Sequence, residues 1–124
     1  MTFWKENMTY KAIPWNQVPT DELIDGIKRQ VVTGDKVMIG RIVFPMGAKV
    51  PAHTHESEQL THVLKGKLRF IVEGNEVIVS EGETLTIPSN LEHSAEALEP
   101  TEEIDAFSPI RTDWLDGSDI YLRS

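Results

Sequence analysis

No cysteine occurs among the 124 residues. Its absence excludes a disulfide framework, thiolate metal ligands and thiol nucleophiles, and with them zinc ribbons and cysteine catalysis. Positive charge is also scarce. Lys and Arg number 12 against 20 Asp and Glu, for a formal charge of −8 at pH 7, and no basic run rises from that background. Neither nucleic acid nor an anionic membrane is therefore an expected partner. No apolar run approaches the roughly 20 residues of a membrane-spanning helix. The opening MTFWKENMTY places Lys5 and Glu6 where a secretory signal would turn apolar, so a soluble, cytoplasmic protein is the expectation.

Helical periodicity is nearly missing as well. The one helical candidate is TDELIDG, residues 20–26, where Thr20 can cap, Asp21 and Glu22 suit the positive helix end and Gly26 can terminate. Period-two alternation is common by contrast. In KLRFIVEGNEVIV, Leu68, Phe70 and Val72 alternate with Lys67, Arg69 and Glu73, and Val77 and Val79 resume after Gly74-Asn75. That pattern reads as a hairpin. KVMIGRIVF, LTHVLKG, ETLTIP and EEIDAFS are further short strands. The expectation is an all-β chain, a small barrel with a short N-terminal helical turn. A chain of this length forms one domain, here a lead over 1–35, a barrel core over 36–108 and a tail over 109–124.

Chemistry concentrates in GAKVPAHTHESEQLTHVLKG, Gly47 to Gly66. Next-but-one residues of a strand lie about 6.6 Å apart on one face, so His53 and His55 point together, and Pro51 disfavours a helix through them. A zincin helix would need a second histidine where Gln59 stands. If the strand parity continues, Gln59 shares the histidines' face while Glu56, Glu58 and His62 do not; His62 reads as structural or surface. His93 lies far along, in GETLTIPSNLEHSAEAL, where Pro88 and Asn90 mark a turn before a new strand. A returning strand would bring it beside the first pair. Three neutral imidazoles and an amide oxygen suit one divalent transition ion, Ni, Mn, Fe or Zn, with zinc bonds of about 2.0–2.1 Å. For Gln59 the alternative is a hydrogen bond to a metal-bound water. Neutral ligands leave the ion its full charge, which favours an anionic substrate.

These residues resemble the cupins, whose first motif reads G-x5-H-x-H-x3-4-E-x6-G, here Gly47, His53, His55, Gln59 and Gly66. The second, G-x5-P-x-G-x2-H-x3-N, is matched by Gly82, Pro88 and His93, with Asn90 and Ala97 departing from it. The resemblance implies a jelly-roll barrel, or double-stranded β-helix. Asn tolerates the left-handed turn of the missing glycine.

A second resemblance lies in EIDAFSPIRTDWL, residues 103–115. It is similar to the pectin-degradation cupins, which linearise unsaturated uronates, as are the Gln of the first motif and the segment carrying Gly26, Lys28 and Arg29. What this implies is a metal enzyme opening the ring of a 4,5-unsaturated uronate, with Asp105, Phe107 and Arg111 as catalytic residues. The residue types suit that chemistry. A buried Asp105 is raised towards proton transfer, Arg111 offers a planar fork for a carboxylate, and Phe107 can pack on a sugar. Each also has a plainer reading: Asp105 paired with Arg41 or Arg69, Arg111 a surface charge, Phe107 core. An iron-dependent dioxygenase and a small-molecule-binding cupin without turnover remain as alternative functions. In the tail, Trp114, Leu115, Ile120, Tyr121 and Leu122 would cover a barrel edge or cross to a second subunit, and a homodimer is expected.

Overall fold

A computed structural model describes residues 10–123; Lys5, Glu6 and the rest of the stretch read for an export signal lie outside them. The elements are β1 (Asp21–Glu22), β2 (Lys28–Thr33), β3 (Met38–Phe44), β4 (Lys49–His53), β5 (Glu58–Lys65), β6 (Lys67–Val72), β7 (Asn75–Ser80), β8 (Thr84–Ile87), β9 (His93–Ala97), β10 (Thr101–Ser108) and α1 (Thr112–Asp116). A six-stranded sheet in the order β1-β2-β3-β10-β5-β8 faces a four-stranded sheet in the order β4-β9-β6-β7. All pairings are antiparallel. The all-β barrel expected from the alternation is therefore present. Ile42, Phe44, Val63 and Phe107 from one sheet meet Leu68, Phe70, Val79 and Ala95 from the other in a shared core. No helix among the described residues is long and apolar enough to cross a membrane.

Local chemistry explains the hairpin. Val72 pairs with Asn75, so the turn is Glu73-Gly74, one residue earlier than the sequence pattern placed it. Both turn residues have positive φ, 47° and 81°, the primed turn whose twist matches its strands. The expected N-terminal helix is reduced to one 3₁₀ turn over Ile24–Gly26, led by Leu23 with no side-chain cap. Asp21 and Glu22 instead pair with Arg29 and Lys28 as strand β1. Tertiary pairing overrides a weak helical preference, because burying Leu23 and Ile27 stabilises more than a single capped turn does.

The lead over 1–35 also hides a complete strand. β2 pairs with β3 along its whole length, yet its inward residue is the charged Arg29, fully buried, so no apolar alternation announces it. The tail is structured too. After the cis Ser108–Pro109 bond the chain turns back over its own barrel and buries Trp114 and Leu122, while Leu115 and Ile120 stay exposed. Trp114 lies so close to β3 that a Cβ at Gly40 would sit 2.8 Å from its ring. Of the five apolar tail residues, then, Trp114, Leu122 and the half-buried Tyr121 cover the barrel, and Leu115 and Ile120 do not.

Candidate metal centre

His53 closes β4 and His93 opens β9, and the pairing of these strands sets the two directly opposite each other. His55 lies beyond the strand end, where its carbonyl accepts from the Asn90 backbone N–H at 2.8 Å. Asn90 has φ 66°, the left-handed conformation that asparagine tolerates. The turn before β9 is thereby tied to the loop after β4, which is how His93 joins the others. One ligand nitrogen from each ring lies within 4.8 Å of the rest. Gln59 is also brought in, with Oε1 3.1 Å from His55 Nε2. Unbroken strand parity does not deliver it, since residues 54–57 form a loop between β4 and β5; the loop returns β5 with Gln59 facing inward. His62 bonds Thr84 on the outer face.

Hydrogen bonding assigns the protons. The Nδ1 atoms of His53, His55 and His93 lie 2.8, 2.9 and 2.9 Å from the carbonyl oxygens of Pro51, Ser57 and Leu91. A carbonyl only accepts, so each Nδ1 carries the proton and each Nε2 presents a lone pair. Burial, the largest cause in each case, lowers His53 to about 3 and His55 to about 4, and lowers His93 as well. The imidazoles are neutral. The Gln59 amide is oriented by a chain that begins at Asp105: its carboxylate accepts from Thr61 Oγ at 2.6 Å, so Thr61 in turn accepts from Gln59 Nε2 at 2.8 Å. That leaves Gln59 Oε1 pointing at the histidines. His55 Nε2 then faces His93 Nε2 at 3.2 Å and Gln59 Oε1 at 3.1 Å, acceptor against acceptor. Such convergence is repulsive by itself and favourable around a cation, and neutral nitrogen with amide oxygen is a donor set for a divalent transition metal. The residues fit the ion.

The site opens into a cavity lined by His53, His93, Asp105, Phe107, Arg111 and Tyr121, among others. Period two along β10 turns Thr101, Glu103, Asp105 and Phe107 inward together. Asp105 pairs with neither proposed arginine: Arg41 bonds Glu102 and Gln30, and Arg69 bonds Glu76. Burial raises Asp105 to about 6 against hydrogen bonds from Glu103 and Thr61. Phe107 is fully buried and meets the rings of His55 and Trp114 edge-on. Arg111 is buried rather than a surface charge. Its fork differs from the expectation: Nε and Nη2 are already bonded to Asp113 at 3.1 and 2.7 Å.

Four residues facing this cavity or its walls were not read from the sequence as site residues. Thr61 and Glu103 lie two residues from Gln59 and Asp105, and parity alone would have found them. Asp113 sits two residues beyond Arg111 in the motif. Tyr121, whose ring stacks on His53 with centroids 4.2 Å apart, carries no local signal beyond its place in an apolar tail.

Comparison with known proteins bears on the same region. The family model for the cupin domain matches residues 40–107. The pectin degradation protein KdgF of Dickeya dadantii (strain 3937) is 34% identical over 103 residues, 81% of this chain and 94% of that protein. The structure of KdgF from a Halomonas species superposes with a TM-score of 0.79 at 30% identity, covering 86% of this chain and 99% of that one. An RmlC-like cupin from Shewanella frigidimarina NCIMB 400 superposes with a TM-score of 0.78 at 26% identity, over 86% and 96% of the two chains.

Proposed function

The chain belongs to the cupin family, and from that premise we propose that it is a metal-dependent enzyme opening the ring of a 4,5-unsaturated uronate to a linear keto acid. One juxtaposition carries the reading: an acceptor-only cluster fit for a divalent ion, a buried carboxyl raised towards neutrality and a buried guanidinium share one cavity. Similarity to a protein named for pectin degradation supports the substrate class.

His53, His55, His93 and Gln59 would hold the ion, which supplies Lewis acidity towards substrate oxygens when bound. Arg111 holds the substrate carboxylate. Asp105 takes the proton of the C1 hydroxyl as the C1–O5 ring bond breaks, and a proton returns to C4 as the C5 enol becomes a ketone. Nothing is gained or lost, so the step is an isomerisation. Phe107 and Trp114 form the apolar wall that keeps bulk water from Asp105 and preserves its raised value.

The test is the decay of the conjugated double-bond absorbance of an unsaturated uronate, with enough metal-loaded protein to outpace spontaneous opening. Asp105→Asn, which can still accept from Thr61, should lower kcat by roughly 10²- to 10⁴-fold with metal content unchanged. Wild-type protein that fails to speed the decay sinks the reading, and oxygen uptake in the same assay would assign dioxygenase chemistry instead.

A further inference from the structure

Arg111 has little left with which to grip a carboxylate alone. Asp113 occupies its Nε–Nη2 edge, and Nη2 also donates to the Tyr121 hydroxyl at 2.5 Å. Nη1 is unspent, since it donates to no acceptor among the described residues. Tyr121 is in the complementary state. Its oxygen accepts from Arg111, which leaves its own O–H to donate, and that proton also finds no acceptor among the described residues. Two adjacent donors thus face a cavity that both residues line.

The placement of Tyr121 is built, not incidental. Asp119, fully buried two residues earlier, accepts from Arg29 Nη1 at 2.7 Å and from Arg123 Nε at 3.0 Å. Leu122 is buried on the next residue. Between these anchors the Tyr121 ring is laid on His53 with planes 16° apart, so the hydroxyl is fixed beside both Arg111 and the histidine cluster. A phenol that already accepts from a guanidinium is a stronger donor through its own proton.

We propose that Tyr121 is a substrate-binding residue: its hydroxyl and Arg111 Nη1 form a two-donor seat for one carboxylate, each donor taking one oxygen. The Tyr121 ring, stacked on His53, caps the seat and admits a flat carboxylate while disfavouring a bulkier ester. This rests on the uronate reading only in taking the ligand to be a small carboxylate sugar.

The experiment is equilibrium binding of galacturonate, a saturated uronic acid that has no double bond to react, and of its methyl ester, to metal-loaded wild-type protein and to Tyr121→Phe. The substitution keeps the ring and removes only the donor, so metal content should not change. Wild type should prefer the acid. Tyr121→Phe should bind the acid roughly 10- to 100-fold more weakly, the worth of a hydrogen bond to a charged group, and the ester unchanged. Equal losses for acid and ester, no loss for the acid, or a wild type that binds the acid no better than the ester overturns the proposal. The outcomes separate from those of the turnover assay. Tyr121-dependent acid binding without ring opening keeps this inference and removes the reaction, whereas ring opening with unchanged acid preference in Tyr121→Phe does the reverse.

Discussion

The two walls of the cavity are held by different forces. The histidine wall is a product of backbone pairing: β4 and β9 set His53 against His93, and carbonyl oxygens hold all three Nδ1 atoms. The other wall, brought by the C-terminal segment, is held by charges taken out of water, with Arg29–Asp119 fully buried and a buried Arg111 against a half-buried Asp113. The Arg29 and Arg111 guanidinium groups both lie over the Trp114 ring, 4.3 and 4.9 Å from its centroid. The difference teaches which side chains can be removed without losing the fold. A ligand imidazole on a paired backbone can go and leave the strand in place, but one partner of a buried ion pair leaves the other charged and unpaired.

The largest effect should come from the first wall and appear in function alone. His55→Ala combined with His93→Ala should abolish stoichiometric metal, read by elemental analysis, while circular dichroism still reports a folded barrel. Full metal occupancy would refute the site, and loss of the fold would refute the comparison. Asp119→Ala tests the second wall and should do the opposite, costing about 3 kcal/mol of stability in denaturant unfolding, because it removes the buried partner of Arg29 and leaves it only the partly exposed Asp21 at 3.1 Å. If Asp119→Ala melts like wild type, the tail is not anchored as described.

A smaller effect should come from Thr61, which transmits the orientation of Asp105 to Gln59. Thr61→Val keeps the shape and removes the link, so the amide is free to turn. Orienting partners of this kind typically contribute roughly 10- to 100-fold in metal affinity, and competition with a chelator should show a loss of that size. Unchanged affinity would mean that Gln59 Oε1 does not bind the ion.

What was legible in the sequence divides along the same line. The spacing of His53, His55 and Gln59 within one short segment and the turn before His93 are local patterns, and such patterns survive in a one-dimensional reading even though the 54–57 loop breaks the strand parity expected to join them. The two-residue spacing of Asp105 and Phe107 likewise put them on one face. Arg29 was illegible as a strand residue because alternation is read from apolar side chains, and here the inward one is charged. Tyr121 was illegible because its position depends on Asp119 meeting Arg29 across 90 residues. The Arg111 fork was misjudged for a different reason: its competitor, Asp113, stands only two residues away in the first turn of α1, and a reading of Arg111 by itself does not count it.

The smallest effect concerns a charge-bearing group that escapes both descriptions. Glu103 lies on the inner face of β10, 3% exposed, with neither a carbonyl nor a cation among the described residues to hold it and with Oε2 unpaired. The arginines nearest in the fold are committed elsewhere, Arg29 to Asp119, Arg41 to Glu102 and Arg111 to Asp113. Burial, and then the like charge of Asp105, push its carboxyl well above the ordinary 4.5. Below that ordinary value the folded and unfolded forms both keep the proton and nothing is lost. Above it the unfolded chain releases the proton freely while the folded protein retains it, so stability falls as pH rises, until the folded group ionises too. Glutamine has no proton to lose. The gap in melting temperature between Glu103→Gln and wild type should therefore be small at pH 4 and widen in favour of the variant towards pH 8. A gap that narrows with pH would mean that Glu103 is ionised in the folded protein and held by a cation, which would place it with the ion pairs of the second wall.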